Sequence, residues 1–446
     1  MPMCARVLPP RLHSRSGRLP ILPSLLVGLA LLWGLGGPVY ASPPPKLPEG
    51  GGICGTGQDL VHRVLEQHRL SALDATAALP TTHSFDIGEI AVLEDDGTLL
   101  RPADAQFYLD PVAAARAFYR THGDDYDFLC FYAASEIPFV TIPGTSAFAY
   151  EINVVQDVEG IGIGVQDHSL DFGSSGRMHS LLNMNSLSAY PADPHQDFHV
   201  TNSALDILAH EAGHRWVAFI PIDSAGVTTN ALLGAGLSHW NFYFDNQASM
   251  LGGNEWQANG DGSWTSVEAT QRYGQLELYL MGFVGAEAVG DLPVLYDAVN
   301  CAPPGTYSVD HHPLDGITCE VREHIFSVAD VINANGPRVP DVGASPKHHR
   351  FAFVLVVPNG SLPTQADLDK LDLLRSEWPA YFSLITGGTA TADITLDSQP
   401  GEVLIDHDGL ADTEDSGQPY TVSASVGIRQ GSIPLALDPA SVALHY

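Results

Sequence analysis

The stretch Asp206-Ile-Leu-Ala-His-Glu-Ala-Gly-His-Arg-Trp216 places two histidines four residues apart, with a glutamate directly after the first. Thr201, Asn202 and Ser203 are each suited to capping a helix start, and Leu205, Leu208, Ala209, Ala212 and Val217 fall on helical spacing. A helix is therefore expected here. Four residues advance a helix by about one turn, so His210 and His214 stand side by side and their imidazoles reach one ion. Glu211 is rotated by about 100° from His210, within reach of a water beside that ion without being forced into the coordination shell. Two ligands plus a base for water are the parts that metal-assisted hydrolysis uses, and they require a third ligand.

Ile220, six residues beyond His214, stands where the compact metzincin pattern has a histidine or aspartate, and Val217 stands where it has glycine. Isoleucine cannot bind zinc, which excludes that version. The remaining candidates are His239 in "LSHWNFYFDNQASMLGG", Glu277 in "RYGQLELYLMGF", and Asp245 or Glu255. The order "HEAGH", an insertion, "HW", and Met250 eleven residues past His239 resembles the leishmanolysin-like branch of the metzincins. In that branch an inserted segment separates the zinc helix from the third histidine, and a methionine forms a turn beneath the metal. The resemblance implies His239 as third ligand, Met250 as the Met-turn, and the helix at "YGQLELYLMGF" as the one that follows it. It spans Asn202 to Gly282 and departs from the family at the missing glycine and in the N-terminal part, which does not align. Glu277 remains the alternative, on a helix of the kind that carries the third glutamate in gluzincins.

The rest of the chain sets the context. Its 446 residues are 45% hydrophobic, enough for a large core, and 52 acidic against 20 basic side chains leave a net charge of −32. Such a surface repels phosphate backbones and anionic membranes, so nucleic acid is excluded as a partner. Residues 1–41 read as an export signal: Arg11, Arg15 and Arg18, the apolar run "ILPSLLVGLALLWGLGG", and small residues before a cut after Ala41. The mature chain is then expected outside the cytoplasm, secreted or periplasmic, with no membrane span.

Export leaves Cys54, Cys130, Cys301 and Cys319, an even number in an oxidising compartment. Cys301 and Cys319 bracket a Pro/Gly/His-rich loop and suggest a local staple, which by elimination pairs Cys54 with Cys130. Three pairings stay open from sequence, and Cys54 could instead cap the metal in a latent form.

Residues 42–82 read as a leader or propeptide with a helix at "GQDLVHRVLEQHRLSALDATAAL". From residue 83 the texture is a strand and helix mixture: two strand-like runs around an Asp-Gly turn in "SFDIGEIAVLEDDGTLLRP", a helix at "DPVAAARAFYRTHG", and strands at "DYDFLCFYAAS", "GIGIGVQD" and "GRMHSLLNMNSL". The last of these is expected to be the edge strand that pairs with an extended peptide. Residues 389–446 ("ADITLD", "GEVLID", "YTVSASV", "SVALHY") read as a β-rich, sandwich-type segment that is incomplete in this sequence. "QANGDGSW" and "IDHDGLADTED" have the oxygen-rich look of calcium loops without the full spacing, and both read as turns, with Ca2+ as the alternative. The histidines of "HPLDGI" and "PKHHRF" share no common face and read as solvated loops. No phosphate loop and no Gly-x-Ser-x-Gly elbow is present.

The expectation is thus an α+β fold: a zincin-type catalytic domain at 83–388, with a mixed sheet and an active-site helix, followed by the β-rich segment. It would be a zinc endopeptidase acting on polypeptides, with one Zn2+ held by His210, His214 and His239 and Glu211 as general base. A zincin scaffold serving adhesion or binding without cleavage is the rival, which an intact Glu211 disfavours because a purely structural zinc has no use for a base.

Overall fold

The structure, a computed structural model, describes residues 58–74, 84–101, 108–136, 140–142, 145–198, 202–247, 250–267, 271–397, 403–407 and 424–428. The export signal, Cys54, most of "IDHDGLADTED" and the strand expected at "SVALHY" lie outside these residues.

Helix α1 (Gln58–Asp74) leads into the hairpin β1 (Ser84–Ile87) and β2 (Ile90–Glu94), then helix α2 (Pro111–Tyr119), β3 (Phe128–Ala133), β4 (Tyr150–Asn153), β5 (Ser180–Ser186) and helix α3 (Ala204–Gly213). There follow β6 (Trp240–Asp245), β7 (Gly252–Ala258), β8 (Ser263–Val267), helix α4 (Gln275–Met281), β9 (Leu292–Ala302), β10 (Thr318–Phe326) and helix α5 (Val328–Asn335). Strand β11 (His348–Val357), the long helix α6 (Gln365–Ile385), β12 (Thr391–Asp393) and the antiparallel pair β13 (Val403–His407) and β14 (Ala424–Ile428) come last, and short strand pairs and 3-10 turns lie between the larger elements. The fold is mixed α+β.

The main sheet runs β1-β2-β11-β3-β5-β4, with β12 beside β11. Its centre is parallel (β2, β11, β3, β5) and both ends are antiparallel. The central strands are apolar on both faces, as parallel strands covered on each side must be. Phe128, Cys130 and Tyr132 point with Phe351, Phe353 and Leu355 into the core that receives α3 and α6, whereas Leu129, Phe131, Ala352, Val354 and Val356 face the core beneath α1 and α2. Helix α1, expected in a leader, buries Leu60, Val61 and Val64 there. Strands β6, β7, β8, β10 and β9 close a separate barrel around Phe242, Trp256 and Cys319.

Several expectations need correction. The β1–β2 turn lies at Gly88, whose φ of 60° suits glycine, and not at the Asp-Gly pair. Of "GIGIGVQD" only Gln166–Asp167 is strand, because Gly160 and Gly162 take positive φ where a side chain would strike the carbonyls of Pro337 and Phe219. Strand β5 is paired on both sides, so β4, not "GRMHSLLNMNSL", ends the sheet. Residues 391–393 join the main sheet instead of the β-rich tail. "PKHHRF" is no solvated loop: it enters β11, and His349 is 2% exposed among the rings of Phe128, Trp216, Phe283 and Phe382. Cys301 and Cys319 are bridged, while Cys130 is a free thiol sealed in the sheet core, so it forms no pair with Cys54. "QANGDGSW" forms the β7–β8 hairpin, where Asp261 accepts from Ser263. No described helix is long and apolar enough to cross a membrane.

Candidate metal centre

Helix α3 begins at Ser203. Its Oγ accepts from the Asp206 amide at 3.2 Å while the Asp206 carboxylate accepts from the Ser203 amide at 2.7 Å, a reciprocal box that satisfies first-turn donors. The Tyr381 hydroxyl of α6 donates to the same carboxylate. Every residue of α3 is buried, so the packing of α6, β5 and the sheet, not intrinsic propensity, holds the helix. It ends at Gly213 with His214 as C-cap, short of Val217. A side chain at Gly213 would come within 2.8 Å of Leu251 and 3.1 Å of Tyr273.

The two helix histidines meet His239, just ahead of β6. His214 Nε2 lies 3.0 Å from His210 Nε2, which lies 3.2 Å from His239 Nε2. Each opposite ring nitrogen faces a backbone carbonyl: His210 Nδ1 to Met250 O at 2.7 Å, His214 Nδ1 to Val217 O at 3.0 Å, His239 Nδ1 to Ala235 O at 3.0 Å. A carbonyl only accepts, so each Nδ1 carries the proton and each Nε2 is left with a lone pair. Three lone pairs converging at this spacing repel one another, and a cation relieves that repulsion. Tetrahedral Zn–N bonds of 2.0–2.1 Å set ligand nitrogens about 3.3 Å apart, close to what is seen, and the all-imidazole set suits zinc. Burial pulls His239 down to about 4 and, together with the neighbouring rings of His210 and His239, holds His214 well below the ordinary imidazole range. Both are neutral and competent to ligate at neutral pH.

Glu211 is fully buried on α3. Its charge adds to burial in raising the phenol of Tyr190, whose hydroxyl donates to Met184 O at 2.7 Å. Met250 is buried in the core around α3 and contributes its carbonyl to His210.

The other candidates for third ligand sit elsewhere. Glu277 Oε1 accepts from Trp240 Nε1 at 2.8 Å and its other oxygen accepts from the Gly274 amide, with burial raising its pKa to about 7. Asp245 accepts from the Trp256 amide at 3.2 Å, and Glu255 lies on β7. Among the described residues, His210, His214 and His239 are the group that gathers within metal-binding distance.

Sequence reading missed the residues that anchor the far end of α3. Arg215 is fully buried: it pairs with Asp157 at 2.6 Å and donates to Gln156 at 3.1 Å, while its carbonyl accepts from Asn153 of β4 at 3.1 Å. Its position directly after His214 was visible, but its distant partners were not. The carbonyls of Val217, Ala235 and Met250 leave no trace in a sequence. Comparison with protein-family models, with curated proteins and with solved structures finds no match.

Proposed function

We propose that the chain is a zinc-dependent endopeptidase of zincin type, resembling the leishmanolysin-like metzincins, that acts on polypeptides outside the cytoplasm. The observation that carries this reading is the convergence of three Nε2 lone pairs, each oriented by a carbonyl behind it, with a buried glutamate directly after the first histidine.

His210, His214 and His239 would hold the ion and leave one coordination position open. Zn2+ bound there supplies Lewis acidity, which polarises a carbonyl oxygen and makes water a nucleophile near pH 7. Glu211 takes the proton from the attacking water and passes it to the departing amine. The site restricts solvent around it: Glu211 is 0% exposed and Tyr190, whose phenol its charge helps raise, is 3% exposed. His239 is the most exposed of the three ligands, which puts the open side of the centre next to it. Strand β4, at the end of the sheet and tied to Arg215 through Asn153, is where an extended polypeptide would add as a further strand.

Metal analysis of the purified mature protein, with digestion of casein or a peptide library, tests the reading. One zinc per chain and cleavage that stops on chelation are expected. Zinc binding without any cleavage would instead favour a non-cleaving binding protein.

A further inference from the structure

The contacts around Glu277 assign it a role that its sequence position does not announce. Glu277 is 1% exposed. Burying a carboxylate is costly unless hydrogen bonds replace its hydration, and here both oxygens are engaged, one by Trp240 Nε1 at 2.8 Å and one by the Gly274 amide at the start of α4. A carboxylate at the surface would cap α4 equally well, so the burial needs another reason.

The Trp240 indole supplies it. Trp240 follows His239 directly, is 1% exposed, and its amide donates to Leu251 O at 2.9 Å. Leu251 is joined to Met250, whose carbonyl orients His210 at 2.7 Å. Next to Gly274, Tyr273 donates its hydroxyl to Ala209 O on α3 at 2.6 Å. The entry to α4 therefore touches both halves of the centre, the helix through Tyr273 and the third histidine through Glu277 and Trp240.

We infer that Glu277 is a positioning residue for the metal centre: by gripping the Trp240 indole it fixes the start of β6 and with it the direction in which His239 presents Nε2. This rests on the three-histidine reading of the site. It makes Glu277 neither a ligand nor a group that touches substrate.

The test is binding of cobalt(II) and zinc to metal-free protein, read as stoichiometry, affinity and the visible spectrum of the cobalt form. Trp240→Phe removes the indole donor and some ring volume while keeping an aromatic ring in the core, whereas Glu277→Ala removes the acceptor. Both variants should still bind one ion, about 10–100-fold more weakly, as loss of an orienting partner does elsewhere, with a shifted cobalt spectrum. The double variant should be no weaker than the weaker single one, because both break the same bond. Leu278→Ala, which loosens the packing of α4 without touching that bond, should lower the melting temperature yet leave affinity and spectrum unchanged. Wild-type affinity and spectrum in Trp240→Phe would overturn the inference, as would equal losses in Leu278→Ala, and loss of the ion from Glu277→Ala alone would make Glu277 a ligand. Failure of the wild-type protein to bind cobalt or zinc would remove the three-histidine reading and this inference together.

Discussion

His210 and His214 reach the centre from successive turns of one helix, while His239 reaches it from a turn and a barrel strand assembled from distant parts of the chain. The helix half is local. Its cap, its spacing and its two histidines lie within a dozen residues, and α3 is packed on every side. The His239 half is held by Leu232 and Gly234 in front, where Asn241 donates to Leu232 O at 2.9 Å and Gly234 donates to His239 O at 2.8 Å. Behind it stand Leu251, Glu277 and the barrel. The two halves supply equivalent nitrogens, yet one is fixed by i,i+4 geometry and the other by long-range contacts. Damage to the first should act directly on metal binding, and damage to the second should act through orientation.

The largest expected effect comes from removing a ligand. His210→Ala or His214→Ala should abolish stable zinc binding, and His239→Ala should weaken it by more than the about 10–100-fold expected when only an orienting partner is lost. Zinc content by atomic spectroscopy after dialysis checks this. Full retention of zinc in His239→Ala would break the comparison, since the third ligand would then lie elsewhere.

Next is the Cys301–Cys319 bridge, which closes the β9–β10 connection on the barrel over a separation of 18 residues. A loop of that length limits the unfolded chain by about 3 kcal/mol. Cys301→Ser with Cys319→Ser should lower stability by about that amount in denaturant titrations while zinc content stays at the wild-type level. Loss of zinc in parallel would show that barrel and ligand geometry are more tightly coupled than the contacts indicate.

A smaller effect concerns His349, beneath the helix half. Burial pulls its pKa down to about 4, against the pull of Asp127 at 4.0 Å, and neither ring nitrogen has a hydrogen-bond partner. His179, Arg215 and Arg177 oppose its charging further. The unfolded chain takes up this proton near 6.5 and the folded one near 4, so stability present above pH 6.5 is lost as pH falls toward 4, by about 2 kcal/mol at pH 5. His349→Phe should flatten that part of the stability-versus-pH curve. An unchanged slope between pH 6.5 and 5 would count against a neutral, buried His349.

The smallest effect probes the seam between the halves. Gly213→Ala on α3 presses on Leu251 and Tyr273, which both belong to the other half. The Leu251 methyl can give way, so the overpacking cost should stay near about 1 kcal/mol, and the melting temperature should fall by a few degrees. A much larger loss would mean that Leu251 is held more rigidly than a side-chain tip.

The same comparison explains what the sequence disclosed. His210, Glu211 and His214 were readable because their relation is a helical repeat. His239 was one candidate among several until the resemblance singled it out, since the Nε2 contact across 29 residues has no local signature. Residues 351–357, apolar without interruption, carry no period that separates a doubly covered parallel strand from a helix, and the two histidines ahead of them drew the eye to solvent. Cys130 misled because an even cysteine count says nothing of depth, and a thiol at the centre of a sheet is sealed from any partner. Glu277 was visible as an acidic residue on a helix, but its meaning lies in Trp240, which only the fold brings to it.

The central claim is that Glu211 serves as the base beside a three-histidine metal centre. The most direct measurement is the steady-state rate of casein or peptide cleavage by Glu211→Gln and wild type, each at one zinc per chain. The substitution keeps size and helix while removing the proton acceptor. Equal zinc content, cleavage by the wild type that a chelator stops, and a fall in kcat of at least about 10²–10⁴-fold in the variant are expected. A variant that cleaves as fast as wild type would contradict the central claim.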